Sequence, residues 1–304
     1  MVVGKEKFFR VILKFIRFVF KLIDVVTILG LLAVHFFIKE RTFWSSLGFY
    51  ALPLPVIIFV VVMLSIVLSK KWRQYNLIIA ALLLLVWLGR SFKLHIPDDI
   101  KENDLEVVFW NTARRNTFKT ALNESDDIPD VMVLVEFRNK NIEELKIRYP
   151  KYYFYSSHRE LFIFSKTPLD IKSENISKYR SSVINFETAG INFYAVDAQG
   201  SIDVPRKMEL TYINKSIKEK NNTIVLGDFN TPYESFYLKQ LKKDFNHAFS
   251  KKGNGFKETW FYNLPLLCLD YIWVSKDLKI LKTEKIFSSK SDHSMLKTVV
   301  KRQQ

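Results

Sequence analysis

Cysteine is almost absent from this chain. One cysteine, Cys268, stands among 304 residues, which excludes an intrachain disulfide framework and a multi-cysteine metal site. A cleavable leader is also not expected. The basic N-terminal region is too long, several apolar segments follow it, and no small-residue cleavage site stands out. Ionisable groups are scarce in the first apolar stretch, where only Asp24 and His35 lie inside it or at its edge. With so few apolar segments, a transporter or channel is disfavoured. Positive charge is plentiful but uneven. Net charge is +15, yet residues 1–100 carry 13 Lys and Arg against 5 Asp and Glu, and residues 101–304 carry 33 against 26. More than half of the excess therefore belongs to the first third, and the mildly basic remainder gives little support to a broad nucleic-acid footprint.

The first hundred residues read as a membrane region. Arg10, Lys14, Arg17 and Lys21 recur at helical spacing, with Phe8, Val11, Ile12, Phe15, Val19 and Ile23 on the opposite face. This fits either an amphipathic helix on an anionic membrane surface or the basic flank of the first span. Three apolar segments follow. Leu22–Ile38 is just long enough to span. Phe43–Ser69 is longer and clearer, with Pro53 and Pro55 expected to kink or break it. Leu77–Gly89 is the weak one, covering roughly 20 Å of a bilayer core of about 30 Å unless its flanks extend it. The expected organisation is an amphipathic helix plus about three transmembrane helices over 1–93, a polar linker over 94–104, and a folded domain over 105–304. Six basic residues precede the first span, and Lys70, Lys71 and Arg73 follow the second. The positive-inside rule then places the N-terminus inside and the C-terminal domain in the periplasm or outside the cell, on a multi-pass membrane protein.

About 200 residues remain, ample for a well-filled core. Short apolar strands are expected at Glu106–Trp110, Val131–Val135, Leu161–Phe164, Asn192–Val196, Ile224–Leu226, Tyr271–Val274 and Met295–Val300. Helical patterns fall at about Asn141–Tyr149, Pro205–Glu219 and Ser235–Lys243. A polar or acidic residue recurs at the strand ends: Asn111, Glu136, Asp228, Asn230, Asp270, Asp292 and His293. Singly, each is an ordinary turn or cap residue. Together they point to groups gathered where loops can host chemistry. The strand ending at Gly227 is the most telling, because Asp228 and Asn230 project the same way from an extended backbone, and glycine there implies a turn or a close approach.

The segments Val-Val-Phe-Trp-Asn (107–111), Val-Leu-Val-Glu (133–136), Gly-Asp-Phe-Asn-Thr-Pro (227–232), Leu-Asp-Tyr-Ile-Trp-Val (269–274) and Ser-Asp-His-Ser (291–294) stand in an order that resembles the endonuclease/exonuclease/phosphatase superfamily. Gly255, Thr259 and Trp260 resemble a segment of its bacterial membrane-bound members. The resemblance covers about residues 104–300. It implies an α/β fold: a four-layered sandwich of two mainly antiparallel sheets with helices outside. It also implies hydrolysis of phosphate esters with a divalent cation, Mg²⁺ or alternatively Mn²⁺. By position, Glu136 matches the principal metal ligand, with Asn111 beside it and Asp292 in the closing pair with His293. Asp228 matches the residue that orients or deprotonates water, Asn230 the phosphate-binding amide, and Asp270 the carboxylate that supports His293.

One position departs from the family. Asp197 stands where a second histidine is expected, and an anion is a poor phosphate-binding donor. His158 or Gln199 is expected to take substrate in its place, and Arg159 and Glu160 replace residues that are often glycine. The expected function is a membrane-tethered, metal-dependent phosphoesterase. Its partners would be the lipid bilayer and a phosphate ester, whether nucleic acid, phospholipid headgroup or small molecule; no protein partner is inferable. The alternative is a binding or scaffold protein that keeps the fold without turnover.

Overall fold

The computed structural model describes residues 2–138, 141–201 and 204–302, and it divides into two compact units, 1–90 and 91–304. In the first unit, helix α1 (Val2–Leu32) continues into a π-helical turn (Ala33–Ile38). The basic N-terminal stretch and the first apolar segment are thus one unbroken helix. Helices α2 (Phe43–Ala51) and α3 (Leu54–Ser65) follow, bent by 80° at the Leu52–Pro53 break. Helix α4 (Lys70–Ser91) runs 22 residues without interruption, about 33 Å at 1.5 Å per residue.

The expected break in the second segment is present, and the third segment is longer than its apolar run alone. Polar flanking residues complete the third segment as helix, so it is long enough to cross, while proline breaks the second. Among the described residues, two helices are long and apolar enough to cross a membrane, or three if the bent pair counts as one span. Ile28, Leu54, Ile57, Val61, Ala80 and Leu83 form this unit's core, and Asn76 Nδ2 donates to the buried Asp24 at 2.8 Å.

The second unit begins with strand β1 (Phe92–Lys93) and then, in chain order, β2 (Leu105–Asn111), α5 (Phe118–Glu124), β3 (Val131–Val135), α6 (Ile142–Arg148), β4 (Tyr153–Ser156), β5 (Phe162–Ser165), β6 (Asp170–Ile176), β7 (Ser182–Thr188) and β8 (Ile191–Asp197). The chain continues through α7 (Arg206–Ser216), β9 (Thr223–Asp228), α8 (Lys239–Asp244), β10 (Phe245–His247), α9 (Ala248–Lys252), β11 (Gly255–Phe256), β12 (Asp270–Ser275), β13 (Ile280–Ile286) and β14 (Met295–Val300). Residues 94–104 hold no helix or strand, but they are fastened to the domain. His95 N–H donates to Asn254 Oδ1 at 2.6 Å, and Asp98 pairs with Lys252 at 3.0 Å and Lys279 at 2.9 Å.

Two six-stranded sheets form the body, ordered β13-β14-β2-β3-β5-β4 and β10-β12-β9-β8-β7-β6. Their facing sides bury one core, including Val107, Phe109, Val133, Ile163, Phe193, Leu226, Ile272 and Leu296. Alternation along each strand sends the other side chains outward. Val108, Trp110, Met132 and Leu134 meet Phe118 and Ala121 of α5 and Leu145 of α6. Tyr194, Val196, Val225 and Trp273 meet Leu210 and Ile213 of α7 and Leu241 of α8. This is the expected four-layered α/β sandwich, helix–sheet–sheet–helix.

Both sheets are antiparallel except at one pair each: β2 with β3 and β8 with β9 are parallel. A helix crosses over within each pair, α5 in the first and α7 in the second, as parallel neighbours require. Gly227 makes the second pair possible, because a Cβ there would lie 2.0 Å from the Val196 carbonyl oxygen.

Candidate active site

The two parallel pairs build the site. Parallel strands end side by side, so Asn111 ends β2 next to the end of β3, which Glu136 follows. Asp197 and Asp228 likewise end β8 and β9 in direct register. The antiparallel neighbours start where these strands stop. Asp270 opens β12 opposite Asp228, and Ser291–Ser294 leads into β14, which runs antiparallel to β2. One rim of the sandwich therefore collects nearly every residue that the strand-end pattern singled out.

The first corner of this rim is dry and crosses between the sheets. Asn111 Nδ2 donates to Asp228 Oδ2 at 2.9 Å, and the Asn230 N–H donates to Asp228 Oδ1 at 2.7 Å. Asp270 Oδ2 lies 2.8 Å from His293 Nδ1. Asn111, Asp228, Asp270 and His293 are all buried. Burial, then the negative charge of Asp270, push the Asp228 carboxyl well above the ordinary carboxylate range, against the pull of His293 and the Asn230 N–H. Burial disfavours charge on His293, but Asp270 overrides it by charge and hydrogen bond and carries the imidazole up to about 10. His293 is thus held protonated at neutral pH, with Nδ1–H directed at Asp270.

Local contacts fix these groups. The Thr259 hydroxyl accepts from the N–H groups of Leu269 and Asp270 at 3.2 and 3.1 Å. Ser291 Oγ donates to the Asn111 carbonyl at 2.8 Å and accepts from the His293 N–H at 3.1 Å. Trp110 Nε1 donates to the His293 carbonyl at 3.0 Å.

The second corner is charged, partly open to solvent, and built from one sheet. Arg114 Nη1 lies 2.6 Å from Glu136 Oε2, and Arg114 Nε donates to Glu160 Oε2 at 2.7 Å. Glu160 also meets Arg138 at 3.2 Å. Burial works against ionisation of Glu160, but hydrogen bonds and charge from Arg114 and Arg138 hold its carboxyl below the ordinary range. The backbone is left-handed at Ala113, Arg114, Glu136, Glu160 and Asn230, with φ between 45° and 59°. For non-glycine residues this stores about 1–2 kcal/mol each, and such strain gathers at functional sites.

Asp197 lies between the corners. Burial and the Glu136 carboxylate push its carboxyl up to about 7, while Arg114 and Arg159 pull it down. A group poised there is neutral below that pH and can donate a hydrogen bond, so the departure from histidine is milder than a permanent anion would be.

The other sequence-predicted residues are placed as follows. Asn230 Nδ2 donates to the Ala198 carbonyl at 2.7 Å. The Asp292 Oδ2 atom accepts from Trp260 Nε1 at 3.0 Å. His158 is exposed, and its N–H donates to Glu174 at 3.2 Å. The Gln199 N–H donates to Ser181 Oγ at 2.9 Å, and its carbonyl accepts from Arg206. Sequence reasoning did not single out Arg114. The available signal was a basic pair, Arg114 and Arg115, just past the Asn111 strand end. Trp260 and Thr259 were noticed as a segment, without their partners.

The donor set suits a hard divalent cation. Asp228, Asp270 and His293 bring ligand-type atoms within 4.8 Å of one another, and the buried Asp270 Oδ1 has no hydrogen-bond partner among the described residues. Oxygens from Glu136, Asn111 and the neighbouring aspartates are the donors Mg²⁺ and Mn²⁺ prefer.

Comparison with known proteins agrees with this geometry. No curated protein sequence matches the chain. Among solved structures, a functionally unknown conserved protein from Enterococcus faecalis V583 shares the fold at TM-score 0.51 and 16% identity, covering 66% of this chain and 100% of its own. An endonuclease/exonuclease/phosphatase family protein from Bacteroides thetaiotaomicron does so at 0.51 and 15%, covering 67% and 100%. An AP endonuclease from Archaeoglobus fulgidus does so at 0.51 and 16%, covering 64% and 98%. At such identities the likeness is one of fold. The model of the endonuclease/exonuclease/phosphatase family matches residues 108–293, more than half of the chain, from within β2 to the turn before β14, and on that match this chain belongs to the endonuclease/exonuclease/phosphatase family.

Proposed function

We propose that this protein is a divalent-metal-dependent phosphoesterase, tethered to a membrane by its N-terminal helices and acting outside the cytoplasm. The observation that carries the reading is the inter-sheet corner, where Asp228, held by two N–H donors, faces a buried Asp270–His293 pair. The family's hydrolysis of phosphoester bonds supports it, as does the gathering of Asp228, Asp270 and His293 ligand-type atoms at that corner. A cation held by Glu136 and Asn111 would neutralise charge on the phosphate oxygens.

The chain's own residues supply the rest. Asp228 orients a water for in-line attack, and its raised affinity for protons suits it to accept one. His293, protonated and fixed by Asp270, offers a charged N–H to a phosphate oxygen or to the departing oxygen. Asn230 Nδ2 donates to the Ala198 carbonyl and keeps one N–H for a phosphate oxygen. The N-terminal helices would keep this chemistry beside a bilayer, compatible with a lipid headgroup, a nucleic acid or a small ester as substrate.

The test uses the full chain in detergent with bis(p-nitrophenyl) phosphate and p-nitrophenyl phosphate, with Mg²⁺ and with chelator. Metal-dependent hydrolysis that falls at least about a thousandfold in Asp228→Ala is expected. Turnover indifferent to chelation and to the substitution would overturn the reading. Reporter fusions after residue 94 check topology, and a cytoplasmic signal there would overturn the placement.

A further inference from the structure

We propose that Arg114 is the phosphate-binding cation of this site, taking the place of the absent histidine. The inference rests on the phosphoesterase reading and deepens it. Three observations carry it. First, Arg114 is built into the site rather than lying on a surface. Its N–H donates to the Glu136 carbonyl at 2.9 Å, its Nη1 meets the Glu136 carboxylate, and its Nε meets Glu160. Its backbone adopts φ 59°, an unfavourable conformation for arginine that turns the chain back toward the rim. Second, the guanidinium is within electrostatic reach of Asp197, the strand end where the histidine was expected. Its charge therefore acts at that position as well as on the Glu136 carboxylate. Third, the side chain is 46% exposed, so a ligand arriving from solvent can reach it. Two carboxylates engage two of the five guanidinium N–H groups, and the planar fork that remains matches the oxygens of a phosphate.

Charge balance points the same way. Glu136 and Glu160 face Arg114 and Arg138, an even count. A divalent cation on Glu136 would tip this corner positive and would compete with Arg114 for the Glu136 carboxylate. Metal binding and phosphate binding are thereby linked through one side chain. Glu160 is the second anchor, which keeps the guanidinium at the site when Glu136 is engaged elsewhere.

The experiment titrates the full chain in detergent by calorimetry, with Mn²⁺ alone and then with inorganic phosphate at saturating Mn²⁺, for wild type, Arg114→Ala, Arg114→Lys and Glu160→Gln. Arg114→Ala is expected to tighten Mn²⁺ binding severalfold, to weaken phosphate binding at least tenfold, and to lower kcat about 10²- to 10³-fold, as loss of an oxyanion donor does. Arg114→Lys keeps the charge without the fork and should recover part of the phosphate affinity. Glu160→Gln, which leaves Glu136 untouched, should weaken phosphate binding severalfold. If Arg114 merely braces Glu136, Arg114→Ala will weaken Mn²⁺ binding and leave phosphate affinity unchanged, which overturns the proposal. Wild type that hydrolyses esters with metal while Arg114→Ala does so equally well also overturns it, and the phosphoesterase reading survives. Wild type that binds phosphate through Arg114 without turnover overturns that reading and keeps this one.

Discussion

The two corners of the rim use the same residue types to opposite ends. At the inter-sheet corner, carboxylates and imidazole are buried, and two hydrogen bonds between side chains run from one sheet to the other, Asn111 to Asp228 and His293 with Asp270, while Asn111 also reaches Glu136 at 3.4 Å within its own sheet. At the intra-sheet corner, Glu136, Arg114 and Glu160 all hang from turns of a single sheet, and they are partly open to water. Buried charge that is fully partnered stays in one arrangement, because breaking it strands an ion in low dielectric. Exposed ion pairs contribute little and exchange partners readily. The first corner is thus suited to chemistry and the second to admitting and releasing charged ligands.

The largest effect is expected where the comparison is sharpest. Asp270→Asn should lower kcat by about 10³- to 10⁴-fold while leaving the fold intact, because an amide can no longer hold the imidazole charged and oriented. A loss of less than tenfold would mean that the dry corner does not carry the reaction. The pair also has a stability signature. His293 binds its proton more tightly when folded, so its contribution is fully present below about pH 6.5 and is lost as pH rises toward about 10. Thermal melts from pH 6 to pH 10 should show this decline in wild type and a flatter profile in Asp270→Asn.

An intermediate effect is expected at Asp197. Its folded-state pKa of about 7 lies above the usual carboxylate value, so the native state binds more protons and stability falls as pH rises from about 4 to 7. Asp197→Asn should therefore raise the melting temperature more at pH 8 than at pH 5. Asp197→His in an Arg114→Ala background should recover about tenfold of the lost turnover, since it restores a donor. With Arg114 present the same substitution should change the rate by less than about threefold, and a larger gain would count against Arg114 as the donor. The smallest effect is expected from Trp260→Phe, which removes one donor to Asp292. A two- to fivefold change in Mn²⁺ affinity, read by calorimetry, is the expected scale for a supporting contact, whereas no change would leave Asp292 outside the metal's surroundings.

Much of the inter-sheet corner was legible in the sequence, because its groups sit on strand ends and strand ends have a local signature. Asn111, Asp228, Asp270 and His293 each adjoin an apolar run, and the runs predict the strands to within about two residues. The intra-sheet corner was less legible. Arg114 and Glu160 meet through left-handed turns that depend on neither periodicity nor propensity, and their partners are 22 to 46 residues away in the chain. Strand β6 escaped notice because Asp-Ile-Lys-Ser-Glu-Asn-Ile is an exposed edge with little apolar content. Helix α4 was underrated because hydropathy counts only the apolar residues, while the helix continues through Lys70–Asn76.

The paired parallel strands have a mechanical consequence. The ends of β2 and β3 are welded to one sheet and the ends of β8 and β9 to the other, so the distance from Asn111 to Asp228 measures how the two sheets are seated on each other. A slip of one sheet by a single ångström across the shared core would part these groups while every strand stayed intact. Warming should therefore silence the protein before circular dichroism registers any loss of strand, and catalytic competence becomes a gauge of alignment between the sheets.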